Sequence, residues 1–475
     1  MSNKTKKVKA LTGKLNQKDS IVFWETKSNN IIKINQHKLM LFLGKGGFCK
    51  IATKTGIRVV RVVENIVSDA PDHEIIDYVK NHLISEKKQG VLEVFSVGIS
   101  SYINKAKLNL LSTVNIPIDK DSKDASWFYF KNTAVKVTKD RCVLVRYEDL
   151  PHKIWESRIL NRDFNIPAGT ISDFDKFLYN LAGKNDERFS GLKTIIGYLL
   201  HRYQNKSSTK AMIFVDENMS FDGRANGGTG KTLITEAIGK MRELVGMDGK
   251  NIKTNSGFKN QRIEATTDII RYDDVQRGFS LENLYSMITS GITIEKKYQD
   301  EFYISPENAP KIVISSNYPV KGTGGSSDQR RRCEFEVANH YNLNHQPIND
   351  FGKHFFDDWN ASDWNDFDQL MMNCAMAYLD KGLIIPEPIN LVKNKLVANT
   401  SIDFVNFIED KIEMDKWIDK RELLKVFNED YSSIGGITSH LFTKFLKEFA
   451  SQKEYEYDVK SSGGNYSFII KSNKR

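Results

Sequence analysis

The feature that most constrains this chain is the run Gly223-Arg224-Ala225-Asn226-Gly227-Gly228-Thr229-Gly230-Lys231-Thr232. It lies between the apolar Ala211-Met212-Ile213-Phe214-Val215 and the helix-like Leu233-Ile234-x-x-Ala237-Ile238. A strand that runs through glycines straight into a helix can turn successive backbone N–H groups toward a phosphate, with the positive end of the helix behind them. In that frame Asn226, Gly227, Gly228, Thr229 and Gly230 form the cradle. Lys231 reaches the β and γ phosphates of ATP, and the Thr232 hydroxyl ligates Mg²⁺. The first position of the G-x-x-x-x-G-K-[ST] pattern is Ala225 rather than glycine, so the match is relaxed. Strand and helix signals alternate from here to about residue 340, which predicts an α/β core on a parallel sheet.

Three later segments supply what phosphoryl transfer needs. Thr267 to Asp274 is a strand-like run ending in paired acids, in which Asp273 holds Mg²⁺ through water and Asp274 orients or deprotonates the attacking water. Lys311-Ile312-Val313-Ile314-Ser315-Ser316-Asn317 is an apolar strand whose terminal Asn317 can position water near the γ-phosphate. Arg330-Arg331-Arg332 then offers arginines able to reach a neighbouring subunit's nucleotide, which would make hydrolysis depend on assembly. Taken singly, an Asp-Asp pair is a common solvated turn and an arginine run a common solvated patch. Their order behind the glycine loop gives them weight.

Asp273 follows Lys231 by 42 residues and Asn317 follows it by 86. This close spacing resembles that of superfamily 3 helicases of viruses and phages, a compact AAA+-like group. Ile292-Thr293-Ile294-Glu295-Lys296-Lys297-Tyr298 is similar to the family's DNA-contacting hairpin, in which lysine tracks phosphate and the aromatic packs on sugar or base. The resemblance implies a ring hexamer that uses ATP and Mg²⁺ to translocate on single-stranded DNA. It implies catalytic roles for Lys231, Thr232, Asp273, Asp274, Asn317, Arg331 and Arg332, and a replicative role in a phage or mobile element, in the cytoplasm of a bacterial host. More loosely, the flanking regions look like those of phage and poxvirus-type primase-helicases.

The primase half of that likeness has no support in the residues. The Asp-x-Asp matches are Asp119-Lys120-Asp121, read as a polar loop, and Asp173-Phe174-Asp175 and Asp366-Phe367-Asp368, read as helical. An ATP-switched initiator or helicase loader that unwinds nothing is the main rival reading, and a small-molecule P-loop kinase the weaker one.

Around the motor, expected at 209–385, the chain divides by composition. Residues 1–20 form a lysine-rich tail, 21–150 a mixed α+β domain with no legible chemistry, and 151–208 a small helical unit opened by Ser172-x-x-Asp175. Pro386-Glu387-Pro388 marks a linker over 386–399. Residues 400–475 read as three helices and a β-hairpin, the order of a winged helix. Its Thr438 helix would bury Leu441, Phe442, Phe445, Leu446 and Phe449 and turn Lys444 and Lys447 outward toward DNA, duplex origin DNA included. A net charge of +9 suits a polyanionic partner.

No run approaches the roughly 18 apolar residues of a membrane helix, so no membrane partner is expected. Cys49, Cys142, Cys333 and Cys374 stand singly, which predicts neither disulfides nor structural zinc, and the nine histidines show no ligand spacing. Trp359, Trp364 and Phe367 read as core, and Gly44-Lys45-Gly46-Gly47 as a turn.

Overall fold

The structure, a computed structural model, describes residues 21–472 except 54–55, 118, 168, 170, 206, 220–227, 251–259, 298–299, 432–435 and 463–464. The chain divides into two compact units that interleave in sequence: Met1–Asp119, Tyr129–Ala134 and Leu144–Asn161 in the first, Lys120–Phe128, Val135–Val143 and Arg162–Arg475 in the second.

In the first unit the alternating Gly56–Val63 segment pairs antiparallel with Phe48–Thr53 and Ile66–Asp69, and Ile154–Trp155 adds a parallel edge. Helices Gln36–Lys45, Asp72–Ser85 and Gln89–Val97 bury Leu39, Leu43, Ile75, Val79, Leu83 and Phe95 in one core with Phe23 and Phe48. Gly44 and Lys45 end the first of these helices and Gly46-Gly47 make the turn after it.

The second unit is built on a five-stranded parallel sheet. Its strands are β1 (Ala211–Asp216), β2 (Leu244–Asp248), β3 (Ile269–Val275), β6 (Lys311–Ser316) and β7 (Arg332–Val337). A short antiparallel hairpin, β4 (Ile292–Ile294) and β5 (Phe302–Ile304), is inserted between β3 and β6. The spatial order is β2-β3-β6-β1-β7. Strands β1 and β6 are buried along their whole length, which explains their unbroken apolar composition. Before β1 come helices α1 (Asp173–Leu181) and α2 (Asp186–Leu200), and behind the glycine loop lies α3 (Lys231–Gly239). Ser172 caps α1 by accepting from the N–H of Asp175, as the sequence predicts. Helix α4 (Ala361–Lys381) packs along α2, where Gly197 admits it: a Cβ there would lie 2.0 Å from the Cys374 carbonyl oxygen. Phe174, Phe356, Trp359, Trp364 and Phe367 form one aromatic cluster, with Phe367 fully buried.

The expected linker is tightly fastened. Glu336 accepts from the backbone N–H groups of Ile389 and Asn390, and Arg188 donates to the Glu387 carbonyl. Helix α5 (Leu391–Asn399) then places Leu391 in the core of the sheet and Leu396 and Val397 in the C-terminal core. There, α6 (Ile402–Lys411), α7 (Lys420–Asp430) and α8 (Ser439–Gln452) pack Phe404, Phe407, Phe427, Phe442 and Leu446 against a sheet of β8 (Ile418–Asp419), β10 (Asn465–Lys471) and β9 (Glu456–Ser462). The helix and hairpin boundaries agree with the sequence pattern to within a few residues. Among the described residues no helix is long and apolar enough to cross a membrane.

The Asp119-Lys120-Asp121 segment corrects an expectation. Read as a polar loop, it has both acids buried, Asp121 at 4% exposure. Asp121 pairs with the Arg202 guanidinium at 3.2 Å and Arg242 at 3.8 Å, and accepts from the Arg202 N–H and the Ser126 hydroxyl. Burial alone would raise its pKa, but the two guanidiniums, His201 and the Ser126 bond together hold it well below the carboxylate range. It is a structural brace, invisible to sequence because its cations come from positions about 80 and 120 residues away.

Candidate nucleotide site

The parallel sheet delivers its polar residues to one edge because each strand ends in them: Asp216 on β1, Asp273 and Asp274 near the end of β3, and Ser315 and Asn317 at the end of β6. Strand β6 lies between β1 and β3, so Asn317 sits between the glycine loop and the acids. The resulting chain of contacts is continuous. Lys231 Nζ is ion-paired with Asp216 and donates to Asn317 Oδ1 at 3.0 Å, and Asn317 Nδ2 donates to Asp274 Oδ1 at 2.7 Å. Thr229 donates its hydroxyl to Asp216 at 2.5 Å. Ser315 Oγ donates to Asp273 at 2.6 Å and accepts from the Asp274 N–H at 2.9 Å.

Local backbone geometry holds this edge in place. Gly230 has φ +99°, and a Cβ there would press on Phe177 and Leu181 of α1, so glycine alone lets the loop reach Lys231 beneath that helix. Gly230 caps α3 without a side-chain bond, which leaves the first N–H groups of the helix for an anion. On β3 the ladder slips between Tyr272 and Val275, and Asp274 takes φ +49° at that irregularity. The strained residue is one of the two acids, and the Ser315 bond fixes it. Its other carboxylate oxygen meets Lys250 at 2.6 Å, at the mouth of an open cleft of about 590 Å³ that Arg262, Arg271 and Asp273 also line.

Asp216, missed in the sequence reading, is 1% exposed, and burial raises its pKa despite the opposing pull of Lys231 and Thr229. Its only sequence signal is a lone acid closing an otherwise apolar strand.

The donor set suits a nucleotide with its cation. Lys231 and the uncapped start of α3 would meet phosphate oxygens, the exposed Thr232 hydroxyl and the half-exposed Asp273 carboxylate would hold Mg²⁺, and Asp274 with Asn317 would hold a water. Gly228 and Thr229 lie in the described loop; Asn226 and Gly227 lie outside the described residues.

The remaining predicted residues fall differently. Arg332 is occupied inside its own chain by Asp328 at 3.2 Å, Glu334 at 3.2 Å and the carbonyls of Val320 and Lys321, so it braces the start of β7 instead of projecting from it. Arg331 donates to Ser327 and lies 4.9 Å over the Tyr285 ring, while Arg330 is exposed. The predicted hairpin is present as β4 and β5: Lys297 is exposed in its connection, Lys296 pairs with Glu264, and Tyr298 lies outside the described residues. Lys444 and Lys447 face outward from α8. In the same domain, though not in the sequence reading, Arg421 and Lys420 lie 4.9 and 5.7 Å from the Tyr466 ring in a cleft of about 720 Å³.

Histidine spacing also misled. His340, His345 and Asp350 converge, their ligating atoms within 4.8 Å of one another, because a tight turn at Asn342–His345 folds the segment back.

Compared with known proteins, residues 221–332 match a family model described as a family of unknown function (DUF5906). That segment carries Lys231, Asp273, Asp274, Asn317 and the three arginines. No curated protein matches the chain. Among solved structures, it is similar to the A form apo structure of the NrS-1 C terminal region, at 14% identity over 91% of this chain and 99% of that one, with a TM-score of 0.43. A second apo structure of the NrS-1 C terminal region matches at 13% identity over 92% and 99%, with a TM-score of 0.44.

Proposed function

We propose that this protein is an ATP-driven DNA helicase of phage or mobile-element replication, with a P-loop, AAA+-like motor of superfamily 3 type and a C-terminal winged helix. The observation that carries the ATPase reading is the unbroken chain Asp216–Lys231–Asn317–Asp274 at the strand ends. In it Lys231 can exchange Asp216 for a γ-phosphate, and Asn317 links that exchange directly to the residue that activates water. Asp274 accepts or orients the water proton once Lys250 yields its place. Bound Mg²⁺ supplies neutralisation of phosphate charge. Thr232 and Asp273 are the residues that would hold it.

The DNA reading rests on the resemblance together with the exposed Lys297 in the β4–β5 connection and the basic, aromatic-bearing face of the C-terminal domain. Successive hairpins in a ring would track phosphates, as exposed lysine suits. Of the three arginines Arg330 is exposed and Arg331 partly so, and these would be the ones to reach a neighbouring subunit's nucleotide, so hydrolysis would need the ring.

The deciding measurement is ATP hydrolysis, strand displacement and oligomer size with and without single-stranded DNA, beside Lys231→Ala. DNA-stimulated hydrolysis in an assembled ring with displacement supports the helicase. Hydrolysis without displacement assigns the chain to ATP-switched initiators or loaders. A stable monomer indifferent to DNA removes both.

A further inference from the structure

After β7 the chain turns sharply. The Asn342 N–H donates to the His345 carbonyl at 2.9 Å, and the Asn342 side chain accepts from the Asn344 N–H at 2.9 Å. This brings two imidazoles to one side, and the short helix Pro347–Phe351 returns Asp350 between them. His345 Nε2 lies 3.0 Å from Asp350 Oδ1, and His340 Nε2 lies 3.3 Å from Asp350 Oδ2. Donors around a tetrahedral ion with bonds of about 2.0–2.1 Å stand roughly 3.3 Å apart. Each imidazole already lies at such a distance from one oxygen of Asp350, and with all ligating atoms within 4.8 Å of one another, an ion would draw the two imidazoles together around the carboxylate.

The surroundings orient the carboxylate as outer partners of a metal ligand do. The buried Tyr341 donates its hydroxyl to Asp350 Oδ2 at 3.0 Å, and Asn180 donates to that same hydroxyl at 2.9 Å. Tyr341 is in turn fixed by stacking on Phe177, with centroids 5.4 Å apart. The three ligands themselves are only partly covered, which leaves ion and water a way in.

We infer that His340, His345 and Asp350 form a binding site for a divalent transition-metal ion of the zinc class. Two imidazole nitrogens and one carboxylate oxygen select Zn²⁺, Co²⁺ or Ni²⁺ over Mg²⁺ or Ca²⁺, which prefer oxygen ligands throughout. Three protein ligands leave at least one position for water. The turn it would clip borders the phosphate loop: a Cβ built on Gly228 would come within 3.8 Å of the Asn342 carbonyl carbon. The ion would thus stiffen one wall of the nucleotide site without touching its chemistry.

The test is a Co²⁺ titration of the full chain, stripped by chelator, tag-free and without nucleotide, read by visible absorption and equilibrium dialysis. One equivalent should bind with tetrahedral or five-coordinate bands, Zn²⁺ should displace it, and Asp273→Ala should leave it unchanged. His345→Ala, at the most exposed ligand, should weaken binding by at least about 100-fold while the metal-free melting temperature stays put. Absence of stoichiometric binding by the unaltered chain overturns the inference and leaves the trio a hydrogen-bonded clamp, as would binding that survives both His345→Ala and His340→Ala.

Discussion

Two buried carboxylate–cation centres in the second unit, Asp216 with Lys231 and Asp121 with Arg202 and Arg242, use the same chemistry for opposite ends. Asp121 has every lone pair answered by rigid partners, and its cations are themselves bound: Arg242 donates to the carbonyls of Leu200 and Trp127. Its charge is held more firmly than in water. Asp216 has one flexible lysine and one hydroxyl, and burial dominates, so its charge is held less firmly. A charge cluster answered on all sides serves as structure. One that is buried but under-answered is ready to give up its partner to a ligand. Burial by itself distinguishes neither.

Lys231→Ala offers the largest break of this contrast. It should lower ATP turnover about 10³-fold, roughly 4 kcal/mol of transition-state stabilisation, and cost less stability than Asp121→Asn, because Asp216, whose pKa burial already raises, can take up a proton when its lysine is removed. Asp121→Asn should do the reverse, costing about 3–5 kcal/mol of stability in urea unfolding because two guanidiniums stay buried without their counter-charge. Asp121's folded pKa is depressed, so its contribution is fully present above the ordinary carboxylate pKa and is lost progressively as pH falls from there through the much lower folded value; the gap between wild type and Asp121→Asn should begin to narrow below about pH 4. A gap constant with pH would refute the brace.

Asn317→Ala tests whether the site's chain of contacts is used. A fall of about 10²-fold in turnover with nucleotide affinity nearly intact is expected, since water positioning is lost and phosphate binding is not. Lys297→Ala sharpens the comparison at the DNA side: strand displacement should disappear while basal hydrolysis is spared. Tyr466→Ala carries the smallest effect, about 1–3 kcal/mol of DNA affinity if the ring stacks on a base or sugar, read by fluorescence anisotropy.

Much of the site was legible because its residues close regular elements. Lys231, Asp273, Asp274 and Asn317 each stand at or near the end of an apolar strand or a glycine loop, and an unbroken apolar run or a run of glycines marks such ends in any order of reading. Asp216 obeys the same rule and was passed over only because one acid after five apolar residues is an ordinary strand terminus. The arginines show the opposite limit. Three in a row are equivalent in sequence, and only the fold turns Arg332 inward to Asp328 and Glu334 and leaves Arg330 outside. Asp119 and Asp121 were misread because polar composition signals solvent unless the partners are known.

The sequence by itself determined the local pieces: the strands and helices around the glycine loop and in the C-terminal domain, where that glycine loop lies, and which residue types stand at the strand ends beside it. Those follow from backbone preference and hydrophobic period, which act over a few residues. Tertiary structure alone decided that β6 lies between β1 and β3, that Asn317 therefore joins Lys231 to Asp274, that Asp121 finds two arginines, and that His340, His345 and Asp350 meet. Those pairings depend on strand order and on turns that bring distant residues together, and neither is set by the residues that end up in contact.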